Sequence, residues 1–255
     1  MIRVGRRIYN KDGSFTDPSF PGFKSIICLT KSTPYGSLGP YVLKNSQGHI
    51  MENIWQFSKI YKNVPATKER YSRYDQRVIW EHPAEIHTDQ VSANEHKPNE
   101  YYKKWRAKGF SCPDPIRYPV GHSHRKECLG AITESELEKC SDPEYVPKLL
   151  NYVESRKEIY LKVYHDLVIK EPKFLKLLEM LKKGVNILII EVDGPHQEDL
   201  DYYKEKYNVP DEFIINHTML VTKENLDIML NDTRHPFGHC YCLAMSLLEQ
   251  IKINT

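Results

Sequence analysis

The stretch that most constrains this chain is Val185-Asn186-Ile187-Leu188-Ile189-Ile190-Glu191-Val192. It is short, nearly all apolar and largely β-branched. It has no polar alternation that would give a strand one wet face, so it reads as a central strand covered on both sides. Such a strand needs helices to cover it, and the surrounding sequence supplies them. Pro172 opens a helix running to Lys182, and Gly184 follows where a left-handed C′ residue belongs. Leu200–Tyr207 reads as a helix, Phe213–Val221 as a second strand, and Thr222 as the cap of a helix over Glu224–Leu230. Phe237–Ile251 is the last helix, with Leu243, Leu247, Leu248 and Ile251 toward the core.

The N-terminal half is less regular. Residues 1–50 read as strands and turns, with Ser25–Leu29 as a buried strand and a hairpin turning around Asn45–Gln47. Met51–Tyr61 carries two apolar sets at helical spacing and reads as a buried helix. Thr67–Ile79 interleaves Tyr71 and Tyr74 with Arg70, Arg73 and Arg77. Pro98 suits the first position of a helix over Asn99–Lys108, and Thr133-x-x-Glu136 has the form of a capping box. Ser141-Asp142-Pro143 signals the start of a helix reaching about Val168. The expected class is therefore α+β: a single helix-rich domain over residues 1–255, with a small sheet around the buried strand 185–192 and an irregular segment at about 62–132.

The totals narrow the functional classes. Lys and Arg number 36 against 34 Asp and Glu, and the resulting +2 is no footprint for nonspecific nucleic-acid binding or an anionic membrane. No apolar run reaches the roughly 18 residues of a membrane span. The opening MIRVGRRIYNKDG lacks an apolar signal core, and the six scattered cysteines suggest no disulfide framework, so a reducing, cytoplasmic setting is expected. Phosphate-loop, dinucleotide-binding, serine-hydrolase and HExxH patterns are absent from the sequence.

Three stretches hold candidate chemistry. Glu52, Gln56 and Lys59 place an acid, an amide and an amine in register on the Met51 helix, a set able to hold a small polar ligand or to be a solvated edge of a core helix. Glu191 and Asp193 share one face at the carboxyl end of the central strand, where α/β folds place functional groups; the competing reading is a turn whose Asp caps the next segment. Gly238 and His239 open the last helix, where free backbone amides favour an anion. Tyr41, Trp55 and Trp80 are candidate stacking surfaces for a base. Within Trp80–His87, Glu85 could serve as a base or His87 as a ligand anchor. Cys112, His122, His124 and Cys128 have zinc-compatible side chains at a spacing that matches no derived pattern, and no metal or cofactor is expected.

Taken together, these stretches resemble the NADAR family, the NAD- and ADP-ribose-associated domains that include the riboflavin-intermediate N-glycosidase. Ser32–Lys59, with Glu52, Gln56 and Lys59 at matching spacing, resembles that family's turn-rich segment and helix. Lys173-Phe174 through Glu191 is similar to its later helix and strand, and Gly238–Leu243 to its last helix start, with His239 or Cys240 where an Asn is expected. The 62–132 segment has no clear counterpart. The resemblance implies hydrolysis of a ribosyl C1′–N bond in a nucleotide or ADP-ribose-type small molecule. Glu52 or Asp193 would supply the carboxylate, Lys59 and Gly238 would hold phosphate, and Tyr41, Trp55, Gln56, Trp80, Glu191 and His239 would contribute to the ligand site. The alternatives are a nucleotide-binding module without turnover and a base-modifying glycosyltransferase.

Overall fold

Asn186–Glu191 is the inner strand of a four-stranded sheet, in the order Thr218–Leu220, Ile2–Arg6, Asn186–Glu191, Phe23–Ile27. It runs parallel to both of its neighbours, with Ile189 level with Val4 on one side and Ile26 on the other. Thr218–Leu220 closes the far side of Ile2–Arg6 in antiparallel register. Ile187, Leu188, Ile189 and Ile190 are fully buried. Both faces are covered, as a continuous apolar run requires, and each such side chain contributes about 1.5–3 kcal/mol relative to exposure.

The computed structural model describes residues 1–29, 32–70, 78–93 and 95–253. Tyr71, Arg73, Tyr74 and Arg77 lie outside the described residues. Backbone contacts group the chain into two units, Met1–Leu43 with Leu161–Thr255, and Lys44–Tyr160. Both mix helices with small sheets, and the protein is α+β.

In the first unit, the helices Pro172–Lys182 and His239–Ile253 pack on the sheet. Pro172 is the first helical residue, and Gly184 takes φ +79° after the helix end, a conformation that only glycine adopts without strain. Thr222 caps Lys223–Asn231 by accepting from the Asn225 amide. The second strand is shorter than expected, because Asp211–Phe213 forms a 3-10 turn ahead of Thr218–Leu220.

The second unit is built on Met51–Phe57 and Glu100–Phe110, with short hairpins around them. Its core joins Phe57, Tyr61, Trp80, Tyr102, Trp105, Ile116 and Ile132. The Met51 helix ends earlier than its apolar spacing suggests. Ser58 turns its hydroxyl back onto the Ile54 carbonyl at 2.6 Å, and Lys59–Tyr61 then pairs as a strand with Cys128–Ala131. Asn99 rather than Pro98 starts the next helix, its side chain accepting from the amides of Tyr101 and Tyr102, while Pro98 ends a strand. Thr133 accepts from the Glu136 amide, but the Glu136 carboxylate goes to Tyr145, Lys148 and Lys139 instead of returning to the cap.

The helix expected from Pro143 begins only at Tyr152. Leu150 bridges to Ala131, which holds that segment extended, and Asn151 with Glu154 forms a complete capping box. Arg156–Leu161 then widens into a π-helical turn before Lys162–Val168. Among the described residues, no helix is long and apolar enough to cross a membrane.

Candidate functional site

The expected site residues divide between the two units. Glu52, Trp55, Gln56, Lys59 and Trp80 belong to one, and Tyr41, Glu191, Asp193, Gly238 and His239 to the other.

In the second unit the Met51 helix assembles the relay its spacing suggested. Gln56 Nε2 donates to Glu52 Oε1 at 2.9 Å, and Lys59 Nζ donates to Gln56 Oε1 at 2.8 Å. The two bonds fix the orientation of the Gln56 amide, nitrogen toward the acid and oxygen toward the amine. Lys59 completes this chain from the first position of a strand instead of from the helix. Burial lowers the Lys59 pKa, with the Glu52 charge opposing it. The Lys59 ammonium also lies 4.7 Å from the centre of the Trp55 ring.

An aromatic wall continues from there. Tyr160 meets Trp55 edge-on at 5.1 Å, Tyr152 lies 6.5 Å away, and the Arg156 guanidinium sits 4.2 Å over the Tyr152 ring. Tyr160 and Arg156 reach this wall from the π-helical turn, a local widening that often marks functional positions. Trp55 is nearly covered, whereas Tyr152 is half exposed and offers a free ring surface. Trp80 is a core residue. Its indole nitrogen donates to the Pro119 carbonyl at 2.9 Å, and its ring packs edge-on against Phe57 at 4.8 Å, so no face is left for a base.

In the first unit, Glu191 ends the central strand with its side chain buried. Burial pushes its carboxyl up to about 7, although the Val192 and Asp193 amides, the Cys240 thiol and the Arg6 charge all favour the ionised form. His239 Nε2 donates to the Cys28 carbonyl at 2.5 Å, which leaves Nδ1 facing Glu191 Oε1 at 3.7 Å. The Cys28 and Cys240 thiols are pushed up by the same burial, with the Glu191 charge adding to it. The phosphate cradle expected at Gly238 is filled from within. A Cβ built there would lie 2.2 Å from Glu191 Oε2, so the protein's own carboxyl group occupies the space at the helix start. Tyr41 is half-buried in the turn-rich segment that follows Gly36–Leu38.

Sequence reasoning missed a third group. Asp232 is fully buried and accepts from Tyr202 at 2.5 Å, Tyr207 at 3.1 Å and the His235 amide at 3.0 Å, with His235 Nδ1 at 2.6 Å. Burial pushes its pKa upward, but the bonds from Tyr202, His235 and the Arg234 and His235 amides outweigh it and hold the carboxylate well below its usual range. The excess of 17 Tyr over 8 Phe was the available signal, since three of those hydroxyls converge here, those of Tyr202 and Tyr207 and, at 3.4 Å, that of Tyr203. Among the described residues, two groups have the donors to hold a metal ion, His82 with Glu85 and His87, and His196 with Glu198 and His217. Cys112, His122, His124 and Cys128 belong to neither. In the second group His217 Nδ1 already accepts from the Gln197 amide at 3.1 Å, and Glu198 is largely exposed.

No protein-family model matches the chain, and neither a curated protein nor a solved structure is significantly similar to it.

Proposed function

We propose that the protein is an N-glycosidase that hydrolyses the ribosyl C1′–N bond of a nucleotide or ADP-ribose-type substrate. The observation that carries this reading is the partly buried Glu52–Gln56–Lys59 relay lying beside the Trp55 ring. Breaking a C1′–N bond develops oxocarbenium-like charge on the ribose, and a preorganised carboxylate stabilises it. Glu52 takes that role and accepts the proton of the attacking water as its oxygen bonds to C1′. The base departs with the electron pair of the C1′–N bond and is protonated on leaving. The exposed Tyr152 ring beside Trp55 gives the base a surface to stack on, and Lys59 holds a phosphate or ribose oxygen. The scheme is built from residues of one unit; Asp193 belongs with Glu191 to the other.

A second reading is a nucleotide-binding module without turnover. It is favoured by the bond that Glu52 Oε1 already accepts from Gln56, which leaves that oxygen less basic toward water. One experiment separates the two. The purified protein is incubated with NAD, ADP-ribose, ADP-ribosylated guanosine and base-modified nucleotides, and the products are read by mass spectrometry. A released base that disappears in a folded Glu52→Gln protein supports the glycosidase. A thermal shift with one ligand and no release supports the binding module. Release that persists in Glu52→Gln defeats the assignment of Glu52.

A further inference from the structure

We propose that His82, Glu85 and His87 form a binding site for a divalent transition-metal ion, zinc foremost, with one coordination position left to water or a ligand. The three residues sit where Ile79–His82 turns through Pro83 and Ala84 into Glu85–Ile86. His82 Nε2 lies 3.3 Å and His87 Nε2 3.2 Å from the same oxygen, Glu85 Oε2. Bonds of about 2.0–2.2 Å from zinc to imidazole nitrogen and carboxylate oxygen, arranged tetrahedrally, separate such donor atoms by about 3.3 Å.

The proton arrangement argues for a cation between them. His82 Nδ1 lies 2.8 Å from the Pro83 carbonyl, which can only accept, so Nδ1 carries the hydrogen. Neutral His82 then has a bare lone pair at Nε2, and this lone pair faces a carboxylate oxygen. Two acceptors at 3.3 Å repel unless a proton or a metal ion lies between them. His87 is fully buried beside Trp105 and Tyr102, which fixes its ring with Nε2 on that same oxygen. A metal ion would draw the Nε2 lone pairs of both imidazoles and the shared Glu85 oxygen together, and the Nδ1–H bond of His82 is the outer contact that usually orients a metal-bound histidine. His82 and Pro83 also line an open cavity of about 310 Å³ with Thr67, Lys68 and Glu81, which gives water and ions a way in. Two imidazoles and one carboxylate make a borderline donor set that suits zinc, cobalt or iron(II) and disfavours magnesium and calcium.

The test uses the full chain, stripped with a chelator and titrated with zinc by calorimetry and with cobalt(II) by visible absorption. The expected result is one ion per chain and a cobalt spectrum without thiolate charge-transfer bands. Affinity falls by about 100-fold or more in His82→Ala and in Glu85→Gln and is unchanged in His124→Ala. Because His87 is buried and its replacement could unfold the unit, the two partly exposed ligands carry the test, and circular dichroism of each variant confirms its fold. Zinc bound equally by the wild type and by folded His82→Ala and Glu85→Gln overturns the proposal. So do a thiolate band, which would place the ion on a cysteine such as Cys128, and the absence of stoichiometric binding.

Discussion

Gly238 and Glu191 are in contact through a space that only a hydrogen can fill: a Cβ at Gly238 would lie 2.2 Å from Glu191 Oε2 and 2.8 Å from Asp193 Cβ. A helix start that could receive an external anion receives instead the carboxyl group at the end of the central strand. The sheet and the last helix are locked together at that point, and the group between them is ionisable.

Gly238→Ala is therefore expected to destabilise the protein by about 1–3 kcal/mol through overpacking. Urea denaturation measures it, and a cycle with Glu191→Ala identifies the cause. The double variant should lose less than the sum of the two single losses by about 1 kcal/mol. Strict additivity would place the strain elsewhere.

Burial holds the Glu191 carboxyl at about 7 in the folded chain, against about 4.3 when unfolded. The folded state thus binds this proton more tightly than the unfolded state. The linked stabilisation is complete below pH about 4.3 and is lost as pH rises through about 7, by an amount on the order of 3 kcal/mol. Glu191→Gln, which keeps the shape without the titration, should flatten the fall in urea midpoint between pH 5 and pH 8, as expected for a site of about this pKa. An unchanged slope would mean that another group carries it.

Asn53 is fully buried, donates to the carbonyls of Cys112 and Asp114 at 3.2 and 3.0 Å, and accepts from the Ile116 amide at 2.8 Å. Asn53→Ala leaves three backbone groups without that partner and should cost about 3 kcal/mol or more. Hydrogen exchange at the Ile116 amide should accelerate before any change is seen at the Val4 amide in the other unit.

Asp232→Asn removes the charge on which Tyr202, Tyr207 and His235 converge. Breaking a buried charged network in this way should cost about 3–5 kcal/mol at neutral pH. The wild-type carboxylate is held below its ordinary range, so its stabilisation is present above pH about 3.9 and is lost as pH falls further. The gap between wild type and Asp232→Asn in chemical denaturation should narrow toward pH 2, well under that ordinary value. A constant gap would assign the loss to packing.

Much of the first unit was legible because its signals are local. Pro172–Lys182 follows from its opening proline and closing glycine, and the strand expected over 185–192 forms as Asn186–Glu191 from an apolar run that admits no wet face. The second unit was less legible where long-range pairing overrode local preference. Lys59 left the helical pattern because its backbone pairs with Ala131, and no helix forms over 143–150, where a turn at Asp142–Tyr145 is followed by the bridge of Leu150 to Ala131. Nothing near Pro143 in sequence announces either pairing.

The site divides along the same line. The Glu52–Gln56 bond was readable because neighbours four apart meet on a helix whatever surrounds it, whereas Lys59 reaches Gln56 from the strand that follows. The apolar strand and the Glu52–Gln56 pair depend on periodicity along one segment and are legible in it. Long-range packing alone makes Trp80 core, sets Glu191 in the space beside Gly238, brings tyrosines of another helix to Asp232, and places His82 and His87 on one oxygen of Glu85. Each of these depends on a distance between side chains whose separation is set by packing, and packing is a property of the folded chain as a whole.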